Sequence, residues 1–238
     1  MRFGKSDKIK FVSTIEGLEL IDKSLPRPAK HFIPQWFKDI PSQTGDITTV
    51  KKCPSFPDYF SQGYILPMWT DVKLKYENNV WNWQTPTDKI TWSHHDNNQF
   101  LDYVTPSFNG VDAQFVFKTH CPWRIITPPG WSVLQLPLFY HFNQEWSVLP
   151  GILDSDIYSQ INQQVLYHGD GKEIMIKAGD PFALYIPFKR SNKLKYEVGY
   201  ENKKDRQIFN KQDFNFETTF LRGGIYKKMQ KRRDKKSL

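Results

Sequence analysis

The punctuation between residues 147 and 190 constrains this chain more than any other feature. Runs of five to eight strand-forming residues are each cut short by glycine, aspartate or proline before a helix could complete. The cuts fall at Pro150-Gly151, at His168-Gly169-Asp170-Gly171 and at Ala178-Gly179-Asp180-Pro181. There glycine supplies positive φ and aspartate caps the turn. The spacing predicts strands over residues 160–167, 173–177 and 182–188. Within the middle run Ile174 and Ile176 alternate with Met175 and Lys177, a period of two that buries one face against a second layer. A sandwich or barrel is the architecture such runs build.

Composition agrees. Aromatic residues make up 16% of the 238 residues, with 8 Trp, 11 Tyr and 18 Phe, and aromatics favour pleated, half-buried surfaces. A chain of this length can bury a sizeable core. Cys53 and Cys121 are its only cysteines, too few for a disulfide framework or a thiolate zinc site, so a reducing compartment is expected. No run approaches the ~20 apolar residues of a membrane span, and residues 1–8 lack a signal-peptide core. A soluble, intracellular protein without a membrane partner is therefore expected.

The formal net charge is +8, but it is unevenly spread. Residues 227–238 hold seven Lys and Arg against Asp234, which leaves +6 in the tail and +2 elsewhere. Such a tail can bind nucleic acid through counterion release, or simply be a solvated end.

Three segments follow from the order of the residues. Residues 1–49 read as an N-terminal arm with one strand at 8–15 and prolines too frequent for a long helix. One turn fits at 35–40, and Phe32, Ile33, Trp36, Phe37 and Ile40 have the spacing to pin the arm to a core. Residues 50–190 read as the β core. It includes a hairpin at 70–84 turning at Glu77-Asn78-Asn79, with Trp81 and Trp83 on one face as cross-strand packing. Further strands are expected at 113–118 and 123–126, separated by a loop at His120-Cys121-Pro122. A tight turn at Thr127-Pro-Pro-Gly130 then leads to a strand over 131–139. Residues 191–238 read as a peripheral appendage, with helix near 205–216 and the basic tail at its end.

Two resemblances add to this. Thr127-Pro-Pro-Gly-Trp-Ser132, Leu149-Pro-Gly-Ile-Leu-Asp-Ser-Asp156 and the run from Gly179 to Arg190 resemble an uncharacterised protein family of marine bacteriophages. That likeness spans most of residues 50–190, and it implies a viral origin and a place in the host cytoplasm or the virion. Separately, Gly151-Ile-Leu-Asp-Ser-Asp156 followed by Ile176-Lys-Ala-Gly-Asp-Pro-Phe-Ala183 is similar to the dUTPase and dCTP deaminase superfamily. This second resemblance covers roughly 40 residues and implies a β-clip-like barrel, usually trimeric, with nucleotide pockets between subunits.

The second resemblance also implies roles. Asp154 would stand as the catalytic carboxylate that orients an attacking water, with Mg²⁺ as the accompanying ion. Ser132, Asp156 and Arg222 would contact the nucleotide, Arg222 from a C-terminal arm that closes over phosphates. The chain departs from the pattern at Ile157, which stands where a sugar-stacking tyrosine belongs. Ser159 replaces a glycine, and Pro129-Gly130-Trp131-Ser132 lacks the basic residue of the phosphate motif. Asp154 and Asp156 can equally serve turn chemistry after Pro150-Gly151.

A third arrangement, His94 and Asp96 with a downstream His168, has the residue types of a two-histidine, one-carboxylate iron site of the 2-oxoglutarate oxygenases. The reading taken from the sequence is a phage-encoded β-rich binding or assembly module, homo-oligomeric and without a cofactor. A divergent nucleotide pyrophosphatase or deaminase is the alternative.

Overall fold

The computed structural model describes residues 8–78, 80–89, 91–94, 115–169, 171–190, 196–222, 228 and 231–232. The chain is mainly β. Its first strands are β1 (Lys10–Ser13), β2 (Arg27–Pro28), β3 (Gln43–Thr44), β4 (Ile47–Thr48) and β5 (Tyr64–Pro67). Then come β6 (Val72–Glu77), β7 (Val80–Gln84), β8 (Trp92–His94), β9 (Phe115–Ile126) and β10 (Trp131–Leu136). The last are β11 (Trp146–Val148), β12 (Gly151–Leu153), β13 (Gln160–Tyr167), β14 (Ile174–Ile176) and β15 (Pro181–Lys189). Three α-helices are described, α1 (Gln35–Asp39), α2 (Ser55–Phe60) and α3 (Lys203–Arg222). No helix among the described residues is long and apolar enough to cross a membrane.

The chain divides into two units, residues 1–34 with 62–192, and residues 35–61 with 193–238. In the first unit one antiparallel sheet runs β1-β9-β13-β11, with β8 also paired to β9, and a second runs β12-β10-β15-β5-β2. A third sheet, β14-β6-β7, contains the expected hairpin. Its turn has Asn78 at φ 51°, the left-handed conformation that Asn adopts more readily than most residues. The sheets are open, and no closed barrel forms among the described residues; the sandwich alternative describes them.

The two large sheets face each other across an apolar core that one buried polar chain crosses. Thr119 of β9 donates to Gln163 of β13. Gln163 donates in turn to the Tyr185 hydroxyl of β15 at 3.0 Å, and that hydroxyl donates to Gln135 of β10 at 3.0 Å. Gln135 ends the chain on the Leu149 carbonyl at 2.9 Å. Each buried group has its partner, which is what makes such a chain tolerable in a low-dielectric interior. Burial holds the Tyr185 phenol well above its ordinary pKa, so it stays a donor.

The expected loop at His120-Cys121-Pro122 is instead the middle of β9, one continuous strand of 12 residues. Pro122 has no N–H for a ladder, and the pairing with β13 slips there, from Gln160 opposite Arg124 to Asn162 opposite His120. On the other edge of β9, β8 pairs with residues 117–119 and β1 with residues 123–126. The proline thus sits where one edge partner gives way to the next, an interruption a sequence reader takes for a loop.

In the second unit Phe37 of α1 packs on Phe60 of α2, with ring centroids 4.8 Å apart, and lies parallel to Phe56 at 5.9 Å. Lys51 Nζ donates to the Phe37 and Lys38 carbonyls, both at 2.7 Å, placing positive charge at a helix C-terminus where it is favourable. Helix α3 opens on a capping box. Asn202 Oδ1 accepts from Lys204 N and Asp205 N, and Asp205 Oδ2 accepts from Asn202 N, a local signal that fixes this end of the helix.

Candidate functional site

Strand β10 gathers the candidate residues because it is flanked on both sides. Leu153 of β12 pairs with Val133, which sets Asp154 beside Ser132. Lys189 of β15 pairs with Trp131, which sets Arg190 beside the turn before β10. That turn is the predicted one at Thr127-Pro-Pro-Gly130, with Gly130 at φ 82° and Trp131 N donating to the Pro128 carbonyl at 3.1 Å.

Three residues read from the sequence, Ser132, Asp154 and Asp156, thereby meet, and Arg190 joins them. Ser132 Oγ donates to Asp154 Oδ1 at 2.6 Å and accepts from Arg190 Nη1 at 2.9 Å. Arg190 grips Asp156 with both arms, Nη1 to Oδ1 at 2.8 Å and Nη2 to Oδ2 at 2.5 Å. The Gly130 N–H adds a third bond to Asp156 Oδ2 at 2.8 Å. A forked pair of this kind combines charge with fixed geometry. Between the two aspartates, buried Ser155 shares a 2.8 Å hydrogen bond with Thr127.

The two carboxylates differ in what they can do. The Asp156 side chain is 7% exposed, and the Arg190 guanidinium, with the Gly130 N–H behind it, lowers its pKa to about 2. It is a permanent anion that holds a turn. The Asp154 side chain is 53% exposed, and its Oδ1 is engaged by Ser132 and, at 3.2 Å, by Arg190. Asp154 is therefore the more exposed of the two carboxylates.

The Asp156 pair sets an acid response. Its folded pKa lies below the ordinary carboxylate value of about 3.9, so its stabilisation is complete above that value and is lost as pH falls through about 2. Urea midpoints measured at pH 5, 3 and 2 should fall less in Asp156→Asn than in the parent. Identical pH slopes in the two would remove the ion pair from the account.

Beside this cluster lies a cleft of about 310 Å³ lined by Ile9, Tyr64, Thr127, Pro128, Trp131 and Pro187, with Lys8 at its edge. Lys189 Nζ stands 5.3 Å from the centroid of the Trp131 ring. Thr127 and Trp131 belong to both the cleft and the ionic cluster, since Arg190 Nη1 also donates to the Trp131 carbonyl at 3.2 Å.

The other candidates stand elsewhere. Arg222 is the last residue of α3, and its side chain lies outside the described residues. His94 ends β8, its ring 5.7 Å from Phe115; Asp96 lies outside the described residues. His168 is buried, with Nε2 3.0 Å from Ser147 Oγ. Among the described residues no group of three His, Cys, Asp or Glu could hold a metal ion. Burial pushes the Cys121 thiol up to about 12, which denies it thiolate chemistry.

Arg190 and Trp131 went unnoticed as site residues in the sequence. The available signal was a Lys-Arg pair closing the strand after Gly179-Asp-Pro181, but only the pairing of β15 with β10 turns it toward Asp156.

No protein-family model matches the chain, and no curated protein matches it. Among solved structures it is similar to the native EIAV dUTPase, at 10% identity and a TM-score of 0.35, over 82% of this chain and 99% of that one. It is also similar to a mutant dUTPase of Staphylococcus bacteriophage 80alpha, at 13% identity and a TM-score of 0.28, over 49% of this chain and 100% of that one. At scores this low the chemistry of the site is left to its own geometry.

Proposed function

We propose that the first unit is a binding module for a nucleotide-class ligand, an aromatic base carrying negative charge. The observation that carries this is the junction of cleft and cluster at Trp131. Trp131 and Tyr64 offer stacking surface in the cleft, Lys8 lines it, and Lys189 lies over the Trp131 ring, bringing positive charge to the same place. The volume is at the small end of ligand pockets. Arg190 is committed to Asp156 and Asp154, so the carboxylates serve the shape of the site. The phage-family resemblance supports a viral setting for such a module, and homo-oligomeric assembly fits the same reading.

Binding is tested by calorimetric titration of the full chain with the deoxynucleoside triphosphates, with and without Mg²⁺. Stacking on an aromatic side chain contributes about 1–3 kcal/mol per base, so Trp131→Ala should weaken binding roughly tenfold or more with the circular dichroism unchanged. Equal affinity for nucleotides and inorganic tripolyphosphate, or an unaltered Trp131→Ala, would reject the module.

A second reading rests on Asp154. Its half-exposed carboxylate, hydrogen-bonded at Oδ1 by Ser132, suits a general base in a nucleotide pyrophosphatase or deaminase. That reading demands turnover that Asp154→Asn abolishes.

A further inference from the structure

A second cleft of the first unit, about 510 Å³, opens between the end of β10 and β11. It shares no lining residue with the Trp131 cleft. Three aromatic rings line it, Phe139, Phe142 and Trp146, together with the carboxylates Glu145 and Asp180 and the imidazole His141. Among the described residues no Lys or Arg lines it, in a chain with 33 of these against 25 Asp and Glu. The charged side chains that line it among the described residues are the carboxylates Glu145 and Asp180.

The walls are built rather than incidental. Phe139 and Phe142 are 56% and 59% exposed, unusual for two phenylalanines on one turn, and Tyr140 stands edge-on to both at 5.5 and 6.3 Å. Phe142 is left-handed at φ 52°, a conformation a bulky residue adopts only when its surroundings demand it. Glu145 is held by its backbone, its N–H on Asn143 Oδ1 at 2.9 Å and its carbonyl accepting from His168 N at 2.8 Å. These bonds fix the backbone that carries the exposed Glu145 side chain along the cleft. Asp180 Oδ2 accepts from Lys177 N at 2.8 Å. Burial lowers the His141 pKa, so at neutral pH this ring brings no positive charge to the cleft.

We propose that this cleft binds a small organic cation, an ammonium group carried on an aromatic or apolar body. Exposed aromatic faces attract cations through the ring quadrupole, the carboxylates supply the counter-charge, and the apolar body replaces water on the phenylalanines. Charge complementarity selects this occupant over a nucleotide, whose phosphates the two carboxylates repel.

The test titrates the full chain with phenethylammonium, with benzyl alcohol as neutral probe and phenylacetate as anionic probe, read by calorimetry. The cation should bind at least tenfold more tightly than the alcohol, and phenylacetate should bind weakest. Glu145→Gln should cost about tenfold in cation affinity while leaving the alcohol unchanged. Phe142→Gly, which relieves the left-handed backbone while removing a ring, should weaken both cation and alcohol in a chain that still folds. Benzyl alcohol binding as tightly as phenethylammonium, or an unchanged Glu145→Gln, would overturn the proposal.

Discussion

Phe117→Ala lowers the unfolding free energy by about 3–5 kcal/mol, the range for deleting a buried aromatic side chain. Phe117 is fully buried near the start of β9. Its ring lies 5.4 Å from Trp81, nearly parallel, and 5.2 Å from Trp92, so it joins the β6–β7 hairpin and β8 to the large sheet. The cavity left behind is bounded by indoles already fixed by Phe115 and Trp83, which leaves little room for collapse. Urea unfolding followed by far-ultraviolet circular dichroism measures the loss. A change under 1 kcal/mol would mean that the hairpin is not packed on β9.

Gly63→Ala is comparably damaging for a different reason. Gly63 has φ 65°, and a Cβ there would come 2.1 Å from the Tyr185 carbonyl oxygen, a backbone atom of the adjoining strand. The left-handed backbone alone costs an alanine about 1–2 kcal/mol. Relief of the clash requires β5 to part from β15, giving up ladder hydrogen bonds at roughly 0.5–1.5 kcal/mol each. A loss of about 3 kcal/mol or more, or failure to accumulate as folded protein, is the expected result. Because Tyr185 also carries the polar chain between the sheets, the same displacement disturbs the core. A variant as stable as the parent would contradict the β5–β15 register.

Local chemistry made much of this fold legible. The strand over residues 160–167 is recovered whole, and 173–177 and 182–188 differ from β14 and β15 only at their ends. Period-two alternation and Gly-Asp-Pro turns are nearest-neighbour signals, and they survive folding. The interruption at Pro122 misled for the opposite reason, since its tolerance depends on two partners far away in the chain. The site divides the same way. The motif singles out Asp154, Asp156 and Ser132, which the fold brings together, whereas Arg190 and Trp131 join them only through the pairing of β15 with β10. Nothing in the local sequence around Arg190 names Asp156 as its partner.

That partnership is why the proposal takes binding over turnover. With Arg190 spread over Ser132, Asp154 and Asp156, the carboxylates hold a turn beside an aromatic cleft, and the account predicts a ligand that is held and not consumed. The direct measurement incubates the full chain with each deoxynucleoside triphosphate and Mg²⁺, then quantifies bound nucleotide and all products by chromatography. The account predicts nucleotide that is retained by the protein and recovered intact, with retention lost in Trp131→Ala. Release of pyrophosphate or a deaminated base, abolished by Asp154→Asn in a folded chain, would contradict it and make Asp154 a catalytic base.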